Sequence, residues 1–216
     1  AETKRVVKDK NIGPLIATEM TRCIHCTRCV RFLEVIAGQK EMGGTGRGEH
    51  VEIGTYVERA IESELSGNVI DVCPVGALTN KPFRFRARAW ELQQHAAVAP
   101  HDCLGSNLYL HTRRGEVMRA VPRDNEAINE VWLSDRDRFG VHGLNHADRV
   151  THPQRKVNGV WQTIGWDTAL QMAADGLRKP GGENLGFLVS PTATVEEAYL
   201  LARIAEGLGC ANVDHR

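Results

Sequence analysis

Three cysteines at two-residue spacing, Cys23, Cys26 and Cys29, and a fourth that opens Cys73-Pro74, constrain this 216-residue chain more than any other feature. Two-residue gaps let a loop curl, so that three thiolates take three corners of an iron–sulfur cube while backbone N–H groups point at the sulfides. The fourth corner then has to come from far along the chain, and a Cys-Pro step is a customary donor. The pattern predicts one [4Fe–4S] cluster held by Cys23, Cys26, Cys29 and Cys73.

Structural zinc is the rival reading. Zinc also takes four cysteines, but usually from two separated pairs, whereas three stand together here and one stands apart. Disulfides are disfavoured, because nothing at the N-terminus resembles a signal peptide and close C-x2-C spacing then favours metal over bridges. His25 lies inside the motif, but the four thiols already complete a ligand set, so it is read as an exposed or supporting residue.

Composition narrows the classes further. Lys and Arg number 27 and so do Asp and Glu, so bulk charge supplies no pull toward nucleic acid or an anionic membrane. No apolar run approaches the about 18 residues that span a bilayer. The expectation is a reducing-compartment protein without direct membrane insertion. The charged opening Glu2-Thr3-Lys4-Arg5 without an initiator Met, and the stop at Val213-Asp214-His215-Arg216, read as the ends of an internal piece of a larger protein.

Along the chain, residues 1–20 read as a polar lead-in closed by a turn at Asn11-Ile12-Gly13-Pro14. Val30, Phe32, Leu33, Ile36 and Ala37 have helical spacing, and Gly38 supplies a stop. The run from Gly43 to Gly48 has no Gly-Lys-Ser/Thr ending, and Glu49 breaks a dinucleotide fingerprint, so it predicts a turn and not a phosphate loop. Val51, Ile53 and Thr55 alternate as a strand. Ser63–Val72 predicts a turn and short helix that deliver Cys73. Between Lys81 and Leu92, arginines mix with Phe83, Phe85 and Trp90. Such a segment can bind nucleic acid, but in a neutral chain a connector with aromatics inward and arginines outward is the expectation.

Beyond it, Leu108, Leu110 and Thr112 lead through Arg113-Arg114-Gly115 into Val117, Met118 and Val121, a hairpin pattern. Val160–Ile164 predicts another strand. Asp167 is expected to cap the helix carrying Leu170, Ala173, Ala174 and Leu177, which Pro180-Gly181-Gly182 closes. Leu185–Ser190 predicts a strand, and Thr194 to Glu197 spells a capping box for a final helix. Pro191-Thr192-Ala193-Thr194 lacks the glycines a pyrophosphate needs, which disfavours NAD. His95, His101, His111, His142 and His146 form no recognisable ligand set, although His142 and His146 could share a helix face.

These strings resemble the large iron–sulfur subunit of respiratory complex I, the NADH:quinone oxidoreductase. The likeness is specific across Met20–Phe32, Arg47-Gly48-Glu49-His50, Glu62–Asn68, Asp71–Thr79, Lys81-Pro82-Phe83, Trp90-Glu91-Leu92, Asn129-Glu130-Val131-Trp132 and Asp135–Phe139. It implies an α+β, ferredoxin-like cluster-binding region (1–92), a small β-rich unit with a degenerate cluster site (93–150), and the truncated start of an α/β molybdopterin-oxidoreductase-like domain (151–216). It also implies a relay of single electrons from flavin toward quinone through one cluster, with no catalytic residue in this chain. Neither molybdopterin nor NAD is expected. The implied partners are the other subunits of the peripheral arm, with no nucleic acid. The implied place is the cytoplasmic side of the bacterial inner membrane, or the mitochondrial matrix side.

Some relatives of this kind carry a further cluster at the start of the second region. Here Cys103 stands alone in Pro100–Asn107, Ser134 occupies the place expected for its distant ligand, and Cys210 is isolated. A catalytic molybdenum or tungsten oxidoreductase, such as a formate dehydrogenase or a hydrogenase-linked subunit, is the alternative.

Overall fold

The computed structural model describes residues 6–215; the opening Glu2-Thr3-Lys4-Arg5 and the last residue of the predicted C-terminal segment lie outside them. The chain divides into two compact units. One combines the residues up to Ala99 with Gly105–Leu144, and the other combines Pro100–Leu104 with the residues from Asn145 onward. The expected cluster-binding region thus shares a unit with most of the expected β-rich region.

In the first unit, β1 (Ile16–Thr18) pairs antiparallel with β4 (Leu78–Asn80), and β2 (Met42–Thr45) with β3 (Glu52–Thr55). The supposed polar lead-in therefore holds a strand and core residues: Ile12, Ile16 and Met20 are buried with Phe32, Leu33, Met42, Ile53, Val69 and Leu78. A three-residue strand is too short to show a period in sequence. Gly43 and Gly44 belong to β2, so the glycine-rich turn is confined to its end, where Gly46 and Gly48 take φ of +87° and +59°.

The helix predicted after the cysteine triplet forms as α1 (Arg28–Arg31) running into a π turn over Phe32–Ile36, with Ala37 N–H donating to Phe32 O at 3.0 Å. The turn buries Phe32 and Leu33, and Gly38 at φ +71° ends it. The short α2 (Asn68–Val72) follows a turn, as its sequence predicts.

Three antiparallel strands, β5 (Gln93–Val98), β6 (Asn107–Arg113) and β7 (Glu116–Pro122), form the unit's largest sheet, in that order. The β6–β7 hairpin turns at Arg114-Gly115, both left-handed at φ +52° and +83°, as a two-residue turn matching strand twist requires. The unit's second cluster of buried residues comprises Ala99, Leu108, Ala120 and Leu133. α3 (Asp135–Phe139) closes the unit. The connector expectation fails for its aromatics: Phe83 is buried, but Phe85 is 92 % and Trp90 81 % exposed.

In the second unit, β8 (Gln154–Val157) and β9 (Val160–Thr163) make a hairpin around Asn158-Gly159. α4 (Trp166–Arg178) follows, with Gly165 as its N-cap; Asp167 stands in the first turn, where its charge faces the helix dipole instead of capping it. β10 (Phe187–Val189) leads into α5 (Val195–Gly207) and the parallel partner β11 (Val213–His215), a βαβ unit. The capping box forms as the sequence predicts: Glu197 N–H donates to Thr194 Oγ1 at 3.2 Å, and Thr194 N–H to Glu197 Oε2 at 2.9 Å. Among the described residues no helix is long and apolar enough to cross a membrane.

Candidate metal centre

The β1–β4 ladder is what brings the distant cysteine to the triplet. β1 runs through Glu19 and a 3-10 turn at Met20–Arg22 directly into Cys23, while β4 begins five residues after Cys73. Thr18 pairs with Leu78, and Glu19 N–H donates to Ala77 O at 2.8 Å, extending the ladder to the rim of the site. Between Cys23 and Cys29 the backbone turns left-handed twice, at His25 (φ +56°) and Thr27 (φ +58°), on either side of Cys26. Such alternation curls a chain around a centre and gathers its N–H groups on the concave side. On the other arm, Cys73 ends α2 in an extended conformation, Pro74 prevents the helix from continuing, and Gly76 at φ +67° reverses the chain toward β4.

All four thiols line one pocket, whose walls include the buried Met20, Ile53 and Leu78, with Ile24, Thr27, Arg28, Pro74 and Val75. Each of the four cysteines is half-buried. Burial pushes the Cys29 thiol up to about 11, and the neighbouring Cys23, Cys73 and Cys26 add to the rise, while the Val30 N–H bonded to it works the other way. Four thiolates collected in this pocket need positive charge between them, which a metal centre would supply if bound there. Among the described residues no set of three or more His, Cys, Asp or Glu is arranged to hold a single metal ion.

The surroundings are cationic on one side. Arg22 donates to Glu19 at 2.6 Å, and Arg84 reaches the same carboxylate at 2.8 Å, so Arg22 has a counter-ion at hand. Arg28 lines the thiol pocket itself, and Arg31 stands one turn on, bordering a neighbouring groove; neither makes an ion pair among the described residues. His25 is exposed.

Residues that the sequence placed in separate strings meet behind Cys73. Asn68 is fully buried; its Oδ1 accepts from Leu133 N–H (3.0 Å) and Arg138 Nη2 (3.1 Å), and its Nδ2 donates to Leu65 O and Leu133 O at 2.9 and 2.8 Å. Asp135 accepts from Ser66 Oγ at 2.5 Å and Gly67 N–H at 2.6 Å, satisfying the first turn of α2. No pairing of these residues is visible in the sequence, although each string stands out there.

Ser134 caps α3, accepting from Asp137 N–H at 3.1 Å, which gives this position a structural role in place of a ligand's. Cys103 is exposed, and Cys210 is buried with its Sγ donating to Leu185 O at 3.2 Å. His142 packs against Phe139 and His146 lies beside Asp148, so the two imidazoles have separate surroundings.

The region around the thiols matches one ferredoxin-like family model, and the segment after it matches a second. Residues 13–79 match the ferredoxin-like domain of NADH-quinone oxidoreductase subunit 3, and residues 92–142 match the 4Fe-4S domain of the NADH-ubiquinone oxidoreductase NDSU1/NuoG-like family. The chain is 47 % identical over 211 residues to the G-type subunit of NADH-quinone oxidoreductase from Rickettsia bellii, which covers 98 % of the chain and 31 % of that relative. It is 47 % identical over 212 residues to the mitochondrial NADH-ubiquinone oxidoreductase 78 kDa subunit of Neurospora crassa, covering 97 % of the chain and 28 % of the relative. To the NADH-ubiquinone oxidoreductase 75 kDa subunit of Reclinomonas americana it is 46 % identical over 213 residues, covering 98 % of the chain and 31 % of the relative. The chain belongs to this family of large iron–sulfur subunits and spans about a third of the length of the curated relatives it matches. Within the second matched region, 92–142, Cys103 is the one cysteine.

Proposed function

We propose that Cys23, Cys26, Cys29 and Cys73 hold one [4Fe–4S] cluster, and that the protein relays single electrons from flavin toward quinone within an NADH:quinone oxidoreductase. The observation that carries this reading is the convergence of four thiols, from two segments of chain, on one largely apolar pocket. When bound, the cluster takes up and gives up one electron at a time. The chain's part is to fix the four sulfurs, to keep water from them with Met20, Ile53 and Leu78, and to set the potential through nearby N–H groups and charge. No bond-making residue is assigned. Cys103 alone cannot hold a second cube, so one centre is proposed here, with neither molybdopterin nor NAD.

The βαβ segment from Phe187 to His215 supports the reading of 151–216 as the start of an α/β scaffold of the molybdopterin-oxidoreductase kind, kept as architecture. The partners are then the other subunits of the peripheral arm, on the cytoplasmic or matrix side of the membrane. The relatives above carry the name NADH–quinone or NADH–ubiquinone oxidoreductase, which favours this over a formate dehydrogenase or a hydrogenase-linked enzyme.

Anaerobic purification of the full-length protein tests the proposal. A brown preparation with broad visible absorption, four irons and four sulfides per site, and a paramagnetic signal on reduction is the expected result. A colourless protein with stoichiometric zinc would overturn it.

A further inference from the structure

The arginine–aromatic segment after β4 plays no part in the thiol pocket, and two of its three aromatics depart from the expected inward packing. Phe85 and Trp90 project into solvent. Phe85 also adopts φ +66°, a left-handed conformation that costs free energy for any residue but glycine. The ring gains no interior packing in return.

The turn that imposes this conformation is well tied. Asn80 Oδ1 accepts from Phe83 N–H at 3.0 Å, Arg84 N–H donates to Asn80 O at 2.9 Å, and Arg86 N–H to Phe83 O at 3.0 Å. Arg84 lies over the Phe85 ring at 4.8 Å and Arg88 over Trp90 at 5.8 Å. Arg84 is paired with Glu19, and Glu91 is engaged by Arg88 N–H and Arg113. Arg86 and Arg88 make no ion pair among the described residues. Together with Phe85, Ala87 and Glu91 they line an open groove of about 400 Å³.

We infer that this segment is a protein-docking surface, and that its occupant is a partner protein presenting carboxylates around an apolar hollow. Exposed aromatics flanked by arginines on a tied turn have the composition of interface hot spots. The two unpaired guanidinium groups supply the charge that carboxylates complement. Single-stranded nucleic acid is the weaker fit, because the chain's own arginines already cover ring faces on which bases would stack, and the net charge is zero. The inference does not depend on the cluster assignment.

Photo-crosslinking tests it in the native assembly of the full-length chain, with a benzoyl-phenylalanine group introduced at position 85. The expected product is a cross-link to a protein segment rich in Asp or Glu. Its yield should fall by about tenfold in the double variant Arg86→Glu/Arg88→Glu and persist in Arg86→Lys/Arg88→Lys. A cross-link to nucleic acid, lipid or the chain itself overturns the inference, as does no cross-link or one indifferent to charge reversal. Phe85→Gly supplies a second readout. Relief of the left-handed strain should leave the isolated protein as stable as before or more so, while association weakens; unchanged association would sink the idea. The reduced-state paramagnetic signal of each variant reports the cluster separately.

Discussion

The guanidinium of Arg138 reaches the carboxylate of Asp71 across 67 residues of chain, Nη2 to Oδ2 at 2.5 Å. Arg138 is 2 % exposed, and the same Nη2 also donates to Asn68 Oδ1. One buried cation therefore fastens both ends of α2, the helix that delivers Cys73. Removing one partner of such a buried pair leaves the other uncompensated. Arg138→Met is expected to lower the unfolding free energy by about 2–4 kcal/mol, discounted because Asp71 is partly exposed. Urea titration of the full-length protein checks it. Arg138→Lys should recover only part, since a rotating ammonium lacks the fixed in-plane N–H directions with which the one Nη2 serves Asn68 and Asp71 together.

Gly67 shows how tightly this clasp is packed. A Cβ there would stand 2.7 Å from Arg138 Cδ and from Asp135 Oδ1, and 2.8 Å from Arg138 Nε. Gly67→Ala is therefore expected to destabilise the fold by about 1–3 kcal/mol through overpacking. Helix propensity alone argues for the opposite sign, so thermal denaturation decides between the two effects.

Serine substitutions separate ligands from bystanders. Replacing Cys23, Cys26, Cys29 or Cys73 singly should abolish or sharply reduce bound iron and sulfide, because each thiolate takes one corner. Cys103→Ser and Cys210→Ser should keep both. Iron and sulfide assays on the six proteins check this, and full loading of any of the first four would count against the ligand set.

Charge near the pocket sets a graded expectation. A positive charge favours the reduced cluster, so its removal should lower the midpoint potential. Arg28→Gln should give the largest shift, on the order of tens of millivolts, with Arg31→Gln smaller. Arg22→Gln should give the least, because Glu19 already offsets that charge at 2.6 Å. Redox titration of the three variants gives the order.

The β5–β6–β7 sheet should weaken in mild acid. Burial lowers the pKa of His111 from its ordinary 6.5, and the Arg119 charge lowers it further. Arg119 Nε–H donates to His111 Nδ1 at 3.1 Å, a bond that needs that nitrogen unprotonated. As pH falls through 6.5 the unfolded imidazole takes up a proton that the folded one resists. The unfolded state then binds more protons, so stability is full above 6.5 and declines below it toward the folded value. His111→Asn keeps an acceptor but cannot titrate; its stability should therefore stay flat between neutrality and mild acid where that of the parent protein declines, and parallel declines would clear the imidazole of responsibility.

Much of the site is legible in the sequence. Cysteine spacing, the Cys-Pro step, Gly38, the Arg114-Gly115 turn and the Thr194–Glu197 box are local signals, each carried by a few adjacent residues whose backbone or side-chain chemistry admits few conformations. The short β1 is not, because three residues show no period. Nor are the outward rings of Phe85 and Trp90, because amphipathic composition does not say which side faces the core.

The sequence by itself determined that four thiols are available and that their spacing matches an iron–sulfur cluster as ligand. Only the tertiary structure decided how they come together: the β1–β4 ladder brings Cys73 to the triplet, and the clasp of Asn68, Asp71, Asp135 and Arg138 holds it there. The physical reason lies in range. Spacing and turn chemistry act over a few residues, but strand pairing and a buried ion pair join segments more than 60 positions apart, and nothing in either segment alone names its partner.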